Sequence, residues 1–177
     1  MTTQSIVMDA SRKVFAEQRK GAERALAQLD TEQIFARADA EANSIAALMK
    51  HVGGNLRSRW SDFLTADGEK ADRNRDGEFE PDSDDIETIR AIWDRGWTVL
   101  EETLATLSDD DLGRTITIRS EPHSVIAALQ RSLAHTSQHV GQIILLAKAA
   151  RGADWQTLSI PRGQSQAFTE QLAAKAR

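Results

Sequence analysis

The sequence contains no cysteine. That absence excludes disulfides, thiolate metal ligands and a cysteine nucleophile from the chain. Proline is scarce, with three residues in 177. Long helical patterns run between the prolines, which favours an all-α fold. No apolar run approaches the roughly 20 residues that span a bilayer. The N-terminus lacks a basic segment followed by a long apolar stretch, so no signal peptide is expected and the expected location is cytoplasmic. Net charge is -5, which offers no general attraction to nucleic acid or to an anionic membrane. There is no glycine-rich phosphate loop, no Gly-x-Ser-x-Gly elbow and no His-Glu-x-x-His run. The paired Glu-x-x-His pattern of di-iron bundles is also missing.

What remains is an ordinary soluble composition, 40% hydrophobic and 28% charged, in a length suited to one domain over 1–177. Four long amphipathic stretches predict a four-helix bundle. The first runs from about Ser5 to Leu29, with Val14, Phe15, Ala22, Ala25, Leu26 and Leu29 as its buried stripe. Residues 30–42 read as a connection, with Ile34 and Phe35 free to pack inward. Asn43-Ser44 caps the second helix, whose apolar face is Ile45, Leu48, Met49, Val52, Leu56 and Phe63. The third begins near Ser83 to Asp85 and carries an apolar seam from Ile86 through Trp93 and Trp97 to Leu107. Thr115 to Arg119 alternates like a short extended segment. Ser120 or Ser124 caps the fourth helix, with Pro122 in or before its first turn. Trp155 to Gly163 reads as a tail packed on the bundle, and Ser165 opens a short last helix.

The fourth helix holds His135 and His139, four residues apart and therefore on one face. Such spacing lets two side chains of one helix bind one metal ion. His51 lies in the second helix, and the three rings can converge if the two helices are neighbours. Neutral imidazoles suit a divalent ion, with Zn, Ni or Fe most in keeping. Three protein ligands leave positions open for water or substrate, and the ion can turn water or a thiol into a nucleophile. The plainer reading is a hydrogen-bonded polar cluster. Asn55 and Arg59 continue the polar stripe of His51, and Gln142 lies beside His139. All three are candidates for supporting the site or contacting substrate. Arg59 can instead pair with the acidic loop. His123 sits three turns before His135, too far to share an ion, and reads as a cap or surface residue. Gly53-Gly54 signals close helix contact, a bend or room for a ligand, and Gly141 would admit another helix beside His139.

Residues 67–85 form a long charged loop. Asp72, Asn74, Asp76 and Gly77 match the first half of a calcium loop, but the twelfth position is Ser83 and Arg73 and Arg75 intervene. A charged loop paired with itself is the better expectation.

Several segments together resemble the DinB-like superfamily, in a branch of unknown function. They are His51-x-x-Gly-Asn55-Leu-Arg-Ser-Arg59-Trp60-x-Asp-Phe-Leu-Thr, Asp67-Gly-Glu-Lys, Arg73-Asn-Arg-Asp-Gly-Glu-Phe79, Glu121-Pro-His-Ser, Ala134-His135-x-x-x-His139-Val-Gly-Gln-Ile and Leu158-Ser-Ile-Pro-Arg162-Gly. The resemblance implies an up-down-down-up bundle, a homodimer, and a divalent metal on His51, His135 and His139. The wider superfamily includes metal-dependent transferases of low-molecular-weight thiols and a mycothiol-dependent isomerase. Two functions are therefore expected in competition: a metal-dependent transferase joining a small thiol to an electrophile, and a non-catalytic metal- or ligand-binding dimer. Metal-dependent hydrolysis is a third, with no evident general base.

Overall fold

The computed structural model describes residues 3–81 and 84–175. Among these, six helices and one small hairpin make a mostly helical protein. The helices are α1 (Thr3–Leu26), α2 (Thr31–Phe35), α3 (Ile45–Trp60), α4 (Ile86–Thr106), α5 (Val125–Arg151) and α6 (Ser165–Lys175). Strands β1 (Thr115–Ile118) and β2 (Glu121–Ser124) pair antiparallel, with Ile116 opposite His123. No helix of the described residues is long and apolar enough to cross a membrane.

The four long helices, α1, α3, α4 and α5, share one core. Its centre is aromatic: Trp60, Trp93, Trp97 and Phe15 are all buried. Burying one such side chain contributes roughly 1.5–3 kcal/mol. Trp93 and Trp97 meet edge to face at 5.5 Å, while Trp60 stacks on Phe63 at 4.5 Å. Trp93 also donates its indole N–H to Glu23. The tryptophans are thus structural, as their three-four spacing predicts.

Helix α3 packs mainly on α4, and α1 on α5. The α3–α4 contact explains Gly53. A Cβ there would collide with the Ile92 carbonyl, and Gly96 on α4 faces the Gly53 backbone in return. Two glycines let the helix backbones touch, a gain in packing that offsets the roughly 1 kcal/mol propensity penalty of each.

Several sequence expectations need correction. α1 ends at Leu26, and Val14 is 42% exposed rather than part of the stripe. The supposed connection contains α2, opened by an Asp30–Gln33 capping box that buries Ile34. Two caps agree with expectation: Ser44 caps α3, and Asp85, within the expected Ser83 to Asp85 start, caps α4, while Ser83 lies outside the described residues. Ser124 caps α5, whereas Ser120 occupies the hairpin turn and Pro122 sits in β2. The chain is therefore not purely α. A Cβ on Gly141 would meet nothing within 4 Å, so no helix among the described residues packs on that glycine.

The tail divides in two. Trp155 and Leu158 pack against the core, Gln28 just after α1 bonds the Gln156 backbone, and Arg24 of α1 donates to the Leu158 carbonyl. Residues 159–175 are exposed, and α6 buries no side chain.

A candidate metal centre

His51 leaves the middle of α3 and is 4% exposed. His135 and His139 leave one face of α5, both half-buried. The three sets of ligand atoms lie within 4.8 Å of one another. Ring centroids are 4.6–5.2 Å apart, so the imidazoles form a compact triangle.

Each outer partner sets a tautomer. His51 Nδ1 lies 2.9 Å from the Glu78 carboxylate, which only accepts when ionised. The Nδ1 proton is thereby fixed and the Nε2 lone pair turned inward. His139 Nδ1 lies 2.8 Å from the Gln142 side-chain oxygen, which frees its Nε2 in the same way. His51 Nε2 and His135 Nε2 are 3.1 Å apart. His51 Nε2 is an acceptor in this tautomer, so the spacing suits an N–H···N hydrogen bond donated by His135 Nε2 or a cation shared by the two nitrogens. Nitrogens bound to one tetrahedral ion at 2.0–2.1 Å would be separated by about 3.3 Å. Burial pushes the His135 pKa down to about 3, reinforced by His139, His51 and nearby arginines. Burial also lowers that of His139, although Gln142 opposes the shift. Neutral imidazoles are the metal-binding form. The donor set fits a divalent ion, in keeping with the sequence expectation, and does not select among Zn, Ni and Fe.

Glu78 is the residue that sequence reasoning missed. It comes from the 67–85 loop through a 3-10 turn at Asp76–Phe79 and is buried beside His51. Arg73 grips it with two hydrogen bonds of 2.8 Å, and its own side chain is only 2% exposed. Burial raises the Glu78 pKa, but Arg73 and His51 outweigh that effect and hold it below the ordinary range. Gly54 makes room for this carboxylate, because a Cβ there would strike Glu78. Phe79 stacks on the His51 ring at 4.7 Å and Arg75 lies over Phe79. The order is thus arginine, carboxylate, histidine, an outer support that orients a ligand and raises its basicity.

The same loop is not a calcium site. Asp72 pairs with Arg57, and the Asn74 side chain accepts from the Gly77 amide. Arg73 points inward as a cation, and Ser83 lies outside the described residues. The histidine triad is the only candidate metal cluster among the described residues. Glu69 collects Arg59 and Arg119, each at 2.9 Å. Arg59 therefore takes the loop-pairing role, and it also donates to the Gly68 carbonyl. Asp67 accepts from the amides of Glu69, Arg119 and Ser120. That network holds the hairpin turn, where Arg119 and Ser120 adopt φ of 55° and 64°.

The triad opens into a cavity of about 430 Å³. Asn55 and Arg59 line it, one and two turns beyond His51, without touching a histidine. Gln142 is outside the lining and acts through His139. His123 is separate, 4.0 Å from Glu121 on the hairpin.

No curated protein matches the chain significantly. Residues 3–164, nearly the whole chain and including every residue of the triad, match a protein family described as "protein of unknown function (DUF1572)". By that match the chain belongs to the DUF1572 family.

Proposed function

We propose that this chain is a divalent-metal-dependent enzyme of the DinB-like kind, a transferase that joins a low-molecular-weight thiol to an electrophile. In this reading the four long helices are an up-down-down-up bundle, and the working unit is a homodimer. The observation that carries the proposal is the triad itself: three converging histidines, two with fixed tautomers, facing a cavity able to admit a small molecule.

A bound divalent ion would supply Lewis acidity, lowering the pKa of a thiol or water. The protein's own residues do the rest. Glu78 and Gln142 hold His51 and His139 in the ligating tautomer. Arg73 keeps Glu78 ionised. Asn55 lines the approach and can orient a substrate. Among the described residues no carboxylate lines the cavity, and Glu78 is committed to Arg73 and His51. A free general base, which hydrolysis would use, is missing from the lining, whereas a thiol ionised by metal needs none. In a substitution the sulfur–carbon bond forms as the leaving group departs, and the thiol proton is released to solvent.

The test begins with metal content on untagged protein, measured by mass spectrometry beside His135→Ala and His139→Ala. The expected result is about one ion per chain, lost in both folded variants. A panel of small thiols and electrophiles follows, scored by metal-dependent thiol consumption. Metal binding without turnover or thiol binding would leave a non-catalytic metal-binding protein. Absence of metal after reconstitution would reduce the triad to a polar cluster.

A further inference from the structure

The chain carries net charge -5, yet its cavity is lined by Arg59, Arg73, Arg75, Arg119 and Arg131 and, among the described residues, by no carboxylate. Three of the five are neutralised from outside the lining, Arg59 and Arg119 by Glu69 and Arg73 by Glu78. The other two are not. The Arg75 guanidinium lies 5.6 Å from the centre of the Phe79 ring, and among the described residues neither it nor the Arg131 side chain makes a hydrogen bond or ion pair. Like charges gathered around a concavity raise each other's energy and focus a field that attracts an anion. Arg131 is placed for this work. It precedes His135 by four residues and His139 by eight, so all three leave α5 on one stripe.

We infer that the cavity takes a small amphiphilic anion whose carboxylate or phosphate is bound by Arg131 and Arg75 while its other end reaches the histidines. The apolar wall of Phe63, Ile118 and Ala128 would cover the body of the molecule. A volume of about 430 Å³ suits a small ligand rather than a polymer. Guanidinium groups bind planar oxyanions through paired N–H donors, a geometry lysine lacks. The inference names the substrate class of the site proposed above. It rests on that reading for the location of the reacting end, but the anion contact belongs to the arginines alone.

The test is calorimetric titration with benzoate and phenyl phosphate, against neutral benzamide and phenol. It uses zinc-loaded and chelator-treated protein, with metal content measured on each sample. Both forms should bind at least one anion and discriminate against its neutral analogue at least tenfold. Arg131→Ala should weaken anion binding about tenfold, Arg75→Ala less, and Arg131→Lys should restore part of it. Tighter benzoate assigns a carboxylate, tighter phenyl phosphate a phosphate ester. Equal binding of neutral analogues, no anion binding, or Arg131→Ala and Arg75→Ala both within twofold of the parent would overturn the inference. So would anion binding abolished by chelation but indifferent to Arg131, which would make the anion a metal ligand. If the protein holds no metal, the enzyme proposal falls while the titration of the metal-free protein still decides the arginine site.

Discussion

The 67–80 loop and the 159–175 segment both lie outside the long helices, and both carry charged residues. They differ in what their charges meet. In the loop, Arg73, Glu78 and Glu69 turn inward and find partners, so a strongly charged stretch becomes the wall of the site. The C-terminal segment keeps every side chain exposed. Charge density alone therefore does not mark a segment as peripheral. What matters is whether each buried charge is matched, because an unmatched one is destabilising by several kcal/mol.

The comparison can be broken most sharply at Glu78. Glu78→Ala leaves the Arg73 guanidinium buried without its main partner and removes the support of His51. A loss of about 3–5 kcal/mol in stability is expected, with metal affinity falling about 10–100-fold. Chemical denaturation and a competitive metal-chelator titration would measure the two. An unchanged midpoint and unchanged affinity would show that the buried pair is ornamental. Gly54→Ala comes next, since its methyl group strikes Glu78. Overpacking of this kind costs about 1–3 kcal/mol. Combining it with Glu78→Ala should give less than the sum of the two losses.

Asp67 sharpens the comparison through pH. Three backbone amides hold its pKa at about 2, below the reference 3.8. Its contribution is therefore fully present above pH about 4 and is lost as pH falls toward 2. Asp67→Asn should lower stability at neutral pH and flatten the decline between pH 4 and 2. A denaturation series across that range would reveal an unchanged slope if the carboxylate were idle. The smallest effect belongs to the other segment. Deleting residues 165–177 should change stability by less than about 0.5 kcal/mol, because no described side chain of α6 is buried. A larger loss would place α6 on a surface of a second copy.

The triad was legible because its spacing is the spacing of a helix face. His135 and His139 share α5 by periodicity, and the Asn55 and Arg59 stripe followed from His51 in the same way. Glu78 was not legible, for it is one acid among many between Asp67 and Asp85. Only the fold of the loop, and the missing side chain at Gly54, single it out. Gly53-Gly54 carried part of the signal: of the three readings, close helix contact, a bend or room for a ligand, Gly53 serves the first, while the space at Gly54 is taken by the protein's own Glu78 rather than by a ligand. Helix α2 escaped notice because five residues are too few to show a period. The hairpin turn escaped because non-glycine residues at positive φ are held there by a distant carboxylate. Pro122 suggested a helix start, yet pairing with Thr117 places it in a strand.

The latch between Asp67 and the hairpin joins residues more than 50 positions apart, and His51 meets His135 across 84 positions. Contacts of that sequence separation form only after long stretches of chain have been closed into loops, which slows folding. A refolding chain can build α5, with its histidine pair, from local interactions alone. The third ligand arrives only when α3 has docked. Competence to hold an ion at all three histidines is thus a record of completed long-range assembly, and in a stopped-flow refolding experiment it would trail the rise in helix content.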